Sequence, residues 1–261
     1  MKFILSRKGY DSQYGGEPSP VLADGTMLSL PIPEMDHLGR KKWSTCTSQL
    51  RLGVHCNSRF VHLDPDIRPE LYENRPENWT PLFGQSGIAA RHLMRSAVAP
   101  GDVFLFFGLF RFWDEKNCRY GKENAFHAIW GYMKIRRILD LGKAGDRREA
   151  IRKYPWHPHV REAEAKRGED LGPNILFVGD RDFAGTFRFA EKLRLTQAGS
   201  ACLTHWDYAK LPWVEKGKAS RMTYHQGLDC MKPDYFQAAG KGQEFVIDER
   251  CSETISAWFF A

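Results

Sequence analysis

The chain has 261 residues, of which 42% are hydrophobic and 27% are charged, and its formal net charge is +6. This is the composition of a globular protein, and it excludes collagen-like, coiled-coil and disordered chains. The six cysteines form no CxxC pair, which disfavours a zinc ribbon or a thioredoxin-type site. We therefore expect free thiols in a reducing compartment.

Strands and a few short helices follow each other along the chain. Helices are predicted at 86–99, where Ser86 is the N-cap and Pro100-Gly101 the stop, at 146–153 and at 252–259. Strands are predicted at 2–6, 26–33, 102–113, 126–139, 174–179, 186–189, 193–196 and 244–248. Residues 34–80 are irregular, as in a long insertion. The expected fold is one α+β domain over residues 1–261, mostly β, with flanking helices and long loops.

The positive charge is concentrated in one segment. Residues 134–167 hold eleven basic and five acidic side chains, so this segment alone carries the charge of +6 that the whole chain has. Charge localised in this way neutralises phosphates, and Arg147, Arg148 and Arg152 are the candidate phosphate ligands. The sequence thus favours a nucleic acid or a nucleotide as partner. The alternative is a solvated helix whose Arg and Glu side chains pair with each other.

The pattern His62-x-Asp64-x-Asp66 provides the candidate catalytic residues. On extended backbone alternate side chains point to the same side, so we expect the imidazole and both carboxylates to converge. Such a group suits a divalent metal such as Mg²⁺ or Mn²⁺, or general acid–base catalysis on a sugar or a base. The alternative is a turn, because Asp next to Pro commonly caps backbone amides.

A second phosphate site is predicted at the end of the first strand. Arg7, Lys8 and Asp11 precede Gly15-Gly16, and cations beside a glycine-rich loop hold a phosphate against backbone amides. The alternative is an ordinary surface turn.

Trp156, His157 and His159 lie inside the basic segment and are candidate nucleotide-binding residues. A tryptophan stacks on a base, and a His-x-His pair on extended backbone ligates a metal. Pro158 between the two histidines also fits a purely structural turn.

One local pattern combines Pro100-Gly101-Asp102, a buried strand, a loop and an aromatic strand around Gly131. It resembles the core hairpin of the PUA-like superfamily, which includes PUA, ASCH and EVE domains. The resemblance implies a small β-barrel core at about 85–200 that binds RNA, modified bases or nucleotides.

Motifs over nearly the whole chain carry a narrower resemblance. They are 5–11 (LSRKGYD), 15–20 (GGEPSP), 30–33 (LPIP), 62–66 (HLDPD), 84–87 (GQSG), 106–110 (FFGLF), 157–159 (HPH) and 242–246 (GQEFV). The chain resembles the third of the nucleotide-modification-associated domain families, bacterial proteins found beside DNA- or nucleotide-modifying enzymes. This resemblance implies a role in DNA base or nucleotide modification, with base-modification enzymes encoded nearby as partners. It assigns no catalytic residues.

Several enzyme classes lack their signatures. The chain has no GxxxxGK[ST] loop, no GxGxxG after a strand, no GxSxG elbow and no HExxH. No signal peptide or membrane span is predicted, so we expect a cytoplasmic protein.

The leading hypothesis is a protein of nucleotide or base modification that binds its nucleotide in a PUA-like cleft. Whether it acts as an enzyme or as a specificity module stays open. The alternative is a metal-dependent enzyme on a small phosphorylated or glycosidic substrate, using His62, Asp64 and Asp66. A third reading is a protein with a purely structural or interaction role.

Overall fold

A computed structural model describes residues 1–9, 16–33, 45–46, 48, 50, 59–166, 172–240, 242 and 244–260. The fold is mixed α+β, with 23% helix and 35% strand. None of the helices in these ranges has the length and apolar character that crossing a bilayer requires. The chain divides into two compact units, each made of separate segments: 1–29, 102–132 and 186–261 in the first, 30–101 and 133–185 in the second.

Each strand and helix is numbered in chain order. The strands are β1 Phe3–Arg7, β2 Ser19–Val21, β3 Ile32–Pro33, β4 Thr45–Cys46, β5 Phe60–His62, β6 Leu82–Ser86, β7 Val103–Asp114, β8 Arg119–Tyr120, β9 Phe126–Asp140, β10 Asn174–Thr186, β11 His205–Trp206, β12 Phe236–Gln237 and β13 Glu244–Ile247. The helices are α1 Gly87–Arg95, α2 Ala144–Lys153, α3 Pro158–Ala165 and α4 Ser252–Phe260.

The first unit is built around β7. Its first eight residues are buried, and it pairs in parallel with β1 and β2 and antiparallel with β8. β13 adds to the other edge of β1, antiparallel. A strand with neighbours on both edges and side chains buried on both faces needs a nearly continuous apolar sequence, which is why residues 102–113 predicted this strand correctly.

The second unit is built around β10, which pairs antiparallel with β6 and has the second half of β9 as its other neighbour. Helices α2 and α3 pack here through an apolar cluster that also includes side chains of β6, β9 and β10. Its buried members are Leu82, Leu139, Leu141, Ala150, Val160, Ala163, Leu176 and Val178. A separate small sheet in this unit has the order β3-β5-β4.

Three sequence predictions differ from the observed elements. The strand predicted at 26–33 is reduced to β3 and isolated bridges. The strand predicted at 193–196 is likewise limited to isolated bridges. The strand predicted at 174–179 continues as β10 to Thr186, and of the strand predicted at 186–189 only this last residue and an isolated bridge at Arg188 remain. The second half of β10 is half-buried or exposed. Backbone pairing continues a strand without apolar side chains, so hydrophobicity did not reveal this half.

Helix boundaries differ for local reasons. α1 ends at Arg95 instead of continuing to 99, because Ala97 takes a left-handed conformation at φ 49°. Helix α2 ends at Lys153 as predicted, and Pro158, expected only in the turn that follows, also begins α3, since proline at the first helical position has no need of its missing N–H. The PUA-like barrel at 85–200 and the single continuous domain stay predictions.

Candidate active site

His62 and Asp64 lie at and just after the end of β5, in the second unit. β5 is the middle strand of its sheet, and His62 is paired with Ile32 across it. The His62 Nε2 atom lies 3.5 Å from Oδ2 of Asp64. The His62 side chain is 21% exposed and that of Asp64 only 4%. The site therefore opens to solvent on the His62 side, above a buried carboxylate.

The start of α3 brings two more imidazoles to Asp64. His159 Nε2 is 3.3 Å from Asp64 Oδ2, and His157 Nε2 is 3.7 Å from Asp64 Oδ1. The sequence predicted a His-x-His pair on extended backbone, but the two histidines lie at the start of a helix. His157 is the N-cap of α3 and His159 lies in its first turn. The structure thus joins two motifs, His62-x-Asp64 and His157-x-His159, that sequence reasoning kept apart.

The charge of Asp64 is stabilised despite its burial. Burial by itself raises the pKa of this carboxyl, but its interactions with His157, His159 and His62 outweigh burial and hold the pKa well below its usual range. The backbone N–H of Gly84 also donates a hydrogen bond to Oδ1, at 2.8 Å. Asp64 is therefore a buried carboxylate anion facing three histidines.

Asp66 does not join this group, contrary to the expected convergence of all three side chains. Its carboxylate oxygens accept hydrogen bonds from Tyr72 Oη at 2.7 Å, Trp79 Nε1 at 3.0 Å and Trp156 Nε1 at 3.2 Å. Burial raises the pKa of Asp66 to about 7. Both carboxylate oxygens thus accept hydrogen bonds from aromatic side chains, and a catalytic role for Asp66 stays a prediction.

A basic groove of about 520 Å³ lies on the same unit. Its lining residues are Asn78, Thr80, Arg136, Arg137, Arg152, Lys153, Tyr154, Val178 and Arg181. Five of them are cationic and none is acidic. We refer to these nine residues as the arginine groove.

Two of the five cations in the arginine groove share one acidic partner. Arg137 and Lys153 both pair with Glu149. Arg136 and Arg152 are exposed and make no ion pair within the described ranges of the chain. These two guanidinium groups are the ones available to an anion in solution.

The three arginines predicted on the basic helix are placed differently from one another. Arg152 lines the arginine groove, whereas Arg147 and Arg148 do not. Arg147 instead donates a hydrogen bond to the carbonyl of Leu141 at 3.2 Å, and Arg148 is exposed.

The indole N–H of Trp156 is bound to Asp66, and its ring meets Tyr154 edge-on at 5.9 Å between ring centroids. Tyr154, not singled out from the sequence, is the aromatic side chain that lines the groove.

The remaining phosphate candidates lie on the first unit. Arg7 donates a hydrogen bond to the carbonyl of Gly240 at 3.3 Å. The Lys8 ammonium is buried and lies 3.5 Å from Glu244 Oε1. Asp11 lies outside the described residues. A phosphate role for Arg7, Lys8 and Asp11 therefore stays a prediction.

Sequence reasoning missed several functional candidates. The groove residues Arg136, Arg137 and Arg181 sit on strands; the first two were counted in the basic segment 134–167 but not chosen as phosphate ligands, and Arg181 lies outside that segment. Asn174, which contacts His159 Nδ1, gave no signal, and Gly84, beside the two histidines, appeared only within the GQSG motif without a role of its own. Their importance comes only from what packs against them.

Comparison with known proteins gives one match. No curated protein and no solved structure matches the chain. The family described as nucleotide modification associated domain 3 matches residues 2–248. With nearly its whole length covered, the chain belongs to the nucleotide modification associated domain 3 family.

Proposed function

We propose that this protein acts in nucleotide or nucleic-acid base modification and binds the phosphates of its substrate in the arginine groove. Family membership supports the general role, and the arginine groove is the observation that carries the binding proposal. Its volume lies within the range of ligand pockets, roughly 300–1,000 Å³. A concave surface with five cations and no acid attracts polyanions.

The residues around the groove also suit the base of a nucleotide. Tyr154 offers an aromatic face, and base–aromatic stacking contributes about 1–3 kcal/mol per base. Asn78 and Thr80 supply neutral hydrogen-bonding groups on the same surface. Phosphate contacts hold the substrate, while these side chains contact the base or the sugar.

The groove and the histidine cluster share neighbouring chain segments. Asn78 and Thr80 flank Trp79, and Tyr154 lies two residues before Trp156. Both tryptophans are bound to Asp66, two residues after Asp64. In this proposal the arginine groove binds the nucleotide and His62 with Asp64 provides the reactive site, while Asp66 positions the segments between them.

A small phosphorylated or glycosidic substrate is the second candidate. A single phosphate needs one or two cations, whereas the arginine groove holds five, of which Arg137 and Lys153 share the one carboxylate of Glu149, so an excess of positive charge remains. The charge therefore favours a substrate with several phosphates, such as a nucleic-acid strand or a nucleoside polyphosphate.

Binding measurements on groove variants test the proposal. We expect the double variant Arg136→Glu/Arg152→Glu to bind a fluorescent single-stranded oligonucleotide at least tenfold more weakly at low salt, by anisotropy. It removes phosphate contacts, so the slope of log affinity against log salt should also fall, by about 0.7 per lost contact. Parallel titrations with duplex DNA, RNA and a nucleoside triphosphate identify the preferred substrate.

The single variants Arg152→Glu and Arg148→Glu form a matched pair. They make the same charge change on the same helix, but Arg148 lies outside the groove. The affinity of Arg148→Glu should change by no more than about threefold, as for a long-range electrostatic effect. An equal loss in Arg148→Glu and Arg152→Glu would show a diffuse basic surface and not a groove. Absence of binding to every polyanion by the wild type would contradict the proposal outright.

A further inference from the structure

The donor atoms of His62, Asp64 and His159 are arranged as ligands of one metal ion. His62 Nε2, a carboxylate oxygen of Asp64 and a ring nitrogen of His159 all lie within 4.8 Å of one another. The two nitrogen–oxygen distances, 3.5 and 3.3 Å, are longer than the roughly 2.7–3.2 Å of good hydrogen bonds. Bonds of about 2.0–2.2 Å to a metal place neighbouring donor atoms roughly 3.0–3.5 Å apart.

Asn174 orients His159 as metal-binding histidines are oriented. Nδ1 of His159 lies 2.9 Å from Oδ1 of Asn174, a side-chain carbonyl that only accepts hydrogen bonds. Nδ1 therefore donates this hydrogen bond, and in the neutral ring Nε2, the nitrogen that faces Asp64, is the one that can bind a metal ion. Metal-bound histidines almost always donate their second ring nitrogen to such an acceptor, which fixes the tautomer.

His157 provides a second, independent observation that favours a cation at this place. Its side chain is fully buried, and neither ring nitrogen has a hydrogen-bond partner in the part of the chain that the structure describes. Burying an unpaired polar group costs free energy, so such groups in native proteins need an explanation. A cation bound between the imidazoles and Asp64 would give Nε2 of His157, which lies 3.7 Å from the other carboxylate oxygen, a partner.

We propose that His62, Asp64 and His159 bind one divalent first-row transition metal ion, with His157 as an additional donor. Two or three imidazole nitrogens and one carboxylate suit Zn²⁺ or Fe²⁺. Mg²⁺ and Ca²⁺ prefer oxygen ligands throughout. Asp66 is not a ligand, because its oxygens accept hydrogen bonds from three aromatic side chains. The proposal does not depend on what the arginine groove binds.

Metal analysis of the full chain, produced without a histidine tag, tests this assignment. The chelated protein is incubated separately with Zn²⁺, Mn²⁺, Mg²⁺ and, without oxygen, Fe²⁺, then desalted and analysed by mass spectrometry for metals. We expect about one Zn²⁺ or Fe²⁺ per chain and essentially no Mg²⁺. Because the ion binds only the folded state, it should also raise the melting temperature by several degrees.

Variants locate the ion. Asp64→Asn and His159→Ala should lose at least nine-tenths of the bound metal, while His157→Ala should weaken binding at least tenfold. The control is His92→Ala, which removes an imidazole of α1 outside the cluster and should keep about one ion per chain. Circular dichroism checks the fold of each variant, and the visible spectrum of bound Co²⁺ reports the ligands directly in those that fold.

Two outcomes would overturn the assignment. One is a wild-type protein that keeps less than about a tenth of an ion per chain in every transition-metal incubation. The other is a folded His159→Ala variant with the metal content and Co²⁺ spectrum of the wild type. Neither result bears on nucleotide binding, which the groove variants test separately.

Discussion

At the scale of single residues, Gly84 decides whether the histidine cluster can form. A Cβ atom at this position would lie 2.1 Å from Cδ2 of His159 and 2.9 Å from Cε1 of His157. Real Cβ contacts are never so short, so any larger residue displaces both imidazoles. The same residue donates its backbone N–H to Asp64. Gly84 therefore allows β6 to approach the start of α3 and the carboxylate at once.

We expect Gly84→Ala to lower the free energy of unfolding by about 1–3 kcal/mol, as overpacking of a filled site does. It should also weaken metal binding, because His159 must move. Urea unfolding and metal analysis measure the two effects. Gly145→Ala is the matched control, since its Cβ meets nothing within 4 Å and alanine favours helix α2. A Gly84→Ala protein as stable as Gly145→Ala would contradict this account.

At the scale of elements, Asp66 ties together segments of the second unit. Its backbone pairs with Leu82 at the start of β6, through hydrogen bonds of 2.8 and 3.0 Å. Its carboxylate binds Trp79, in the connection before β6, and Trp156, between α2 and α3. Through these contacts the side chain of Asp66 links the connections around the site.

We expect Asp66→Asn to lower the free energy of unfolding by about 1–3 kcal/mol, since an amide NH₂ must face one of three hydrogen-bond donors. Activity in a cellular nucleoside-modification assay should fall only as far as folded protein falls. The exposed Asp182→Asn on β10 is the control and should change stability by less than about 0.5 kcal/mol. A stable Asp66→Asn protein without activity would restore Asp66 to the catalytic group.

At the scale of the whole molecule, stability depends on burying histidines in their neutral form. In the first unit, burial, together with the charge of Arg7, lowers the pKa of His127 from 6.5 to about 3. The Trp206 indole nitrogen lies 3.4 Å from Nδ1 of this imidazole. The unfolded chain takes up this proton below about pH 6.5, whereas the folded chain does not. The contribution of the neutral His127 imidazole to the free energy of unfolding is therefore complete above pH 6.5 and is lost as the pH falls toward 3.

Replacing His127 by Gln, which keeps an acceptor for Trp206, should flatten this pH dependence. At pH 7.5 the difference in unfolding free energy between wild type and variant measures the packing cost of the substitution. As the pH falls to 4.5 the difference should shift in favour of the variant by roughly 2–3 kcal/mol, at about 1.4 kcal/mol per pH unit. Urea unfolding at several pH values measures it, and parallel curves would show that His127 does not titrate this way.

From the amino-acid sequence alone one can predict the long strands β7 and β9, the helix α2 and the basic segment around it. These features rest on local signals: continuous apolar runs predict strands buried on both faces, and charge density needs no tertiary structure to be read. The spacing His-x-Asp also identified His62 and Asp64 as candidate site residues. Family membership, too, followed from motifs along the chain, and the match over residues 2–248 confirmed it.

Which of these side chains come into contact depends on the tertiary structure. Trp156 and Asp66 are 90 residues apart in sequence and share a hydrogen bond, and the two His-containing motifs converge on Asp64. Periodicity describes which face a residue lies on but not which element packs against that face. The packing of α3 against β6, which the missing side chain of Gly84 allows, brings His159 to Asp64, while Asp66 is bound by three aromatic side chains.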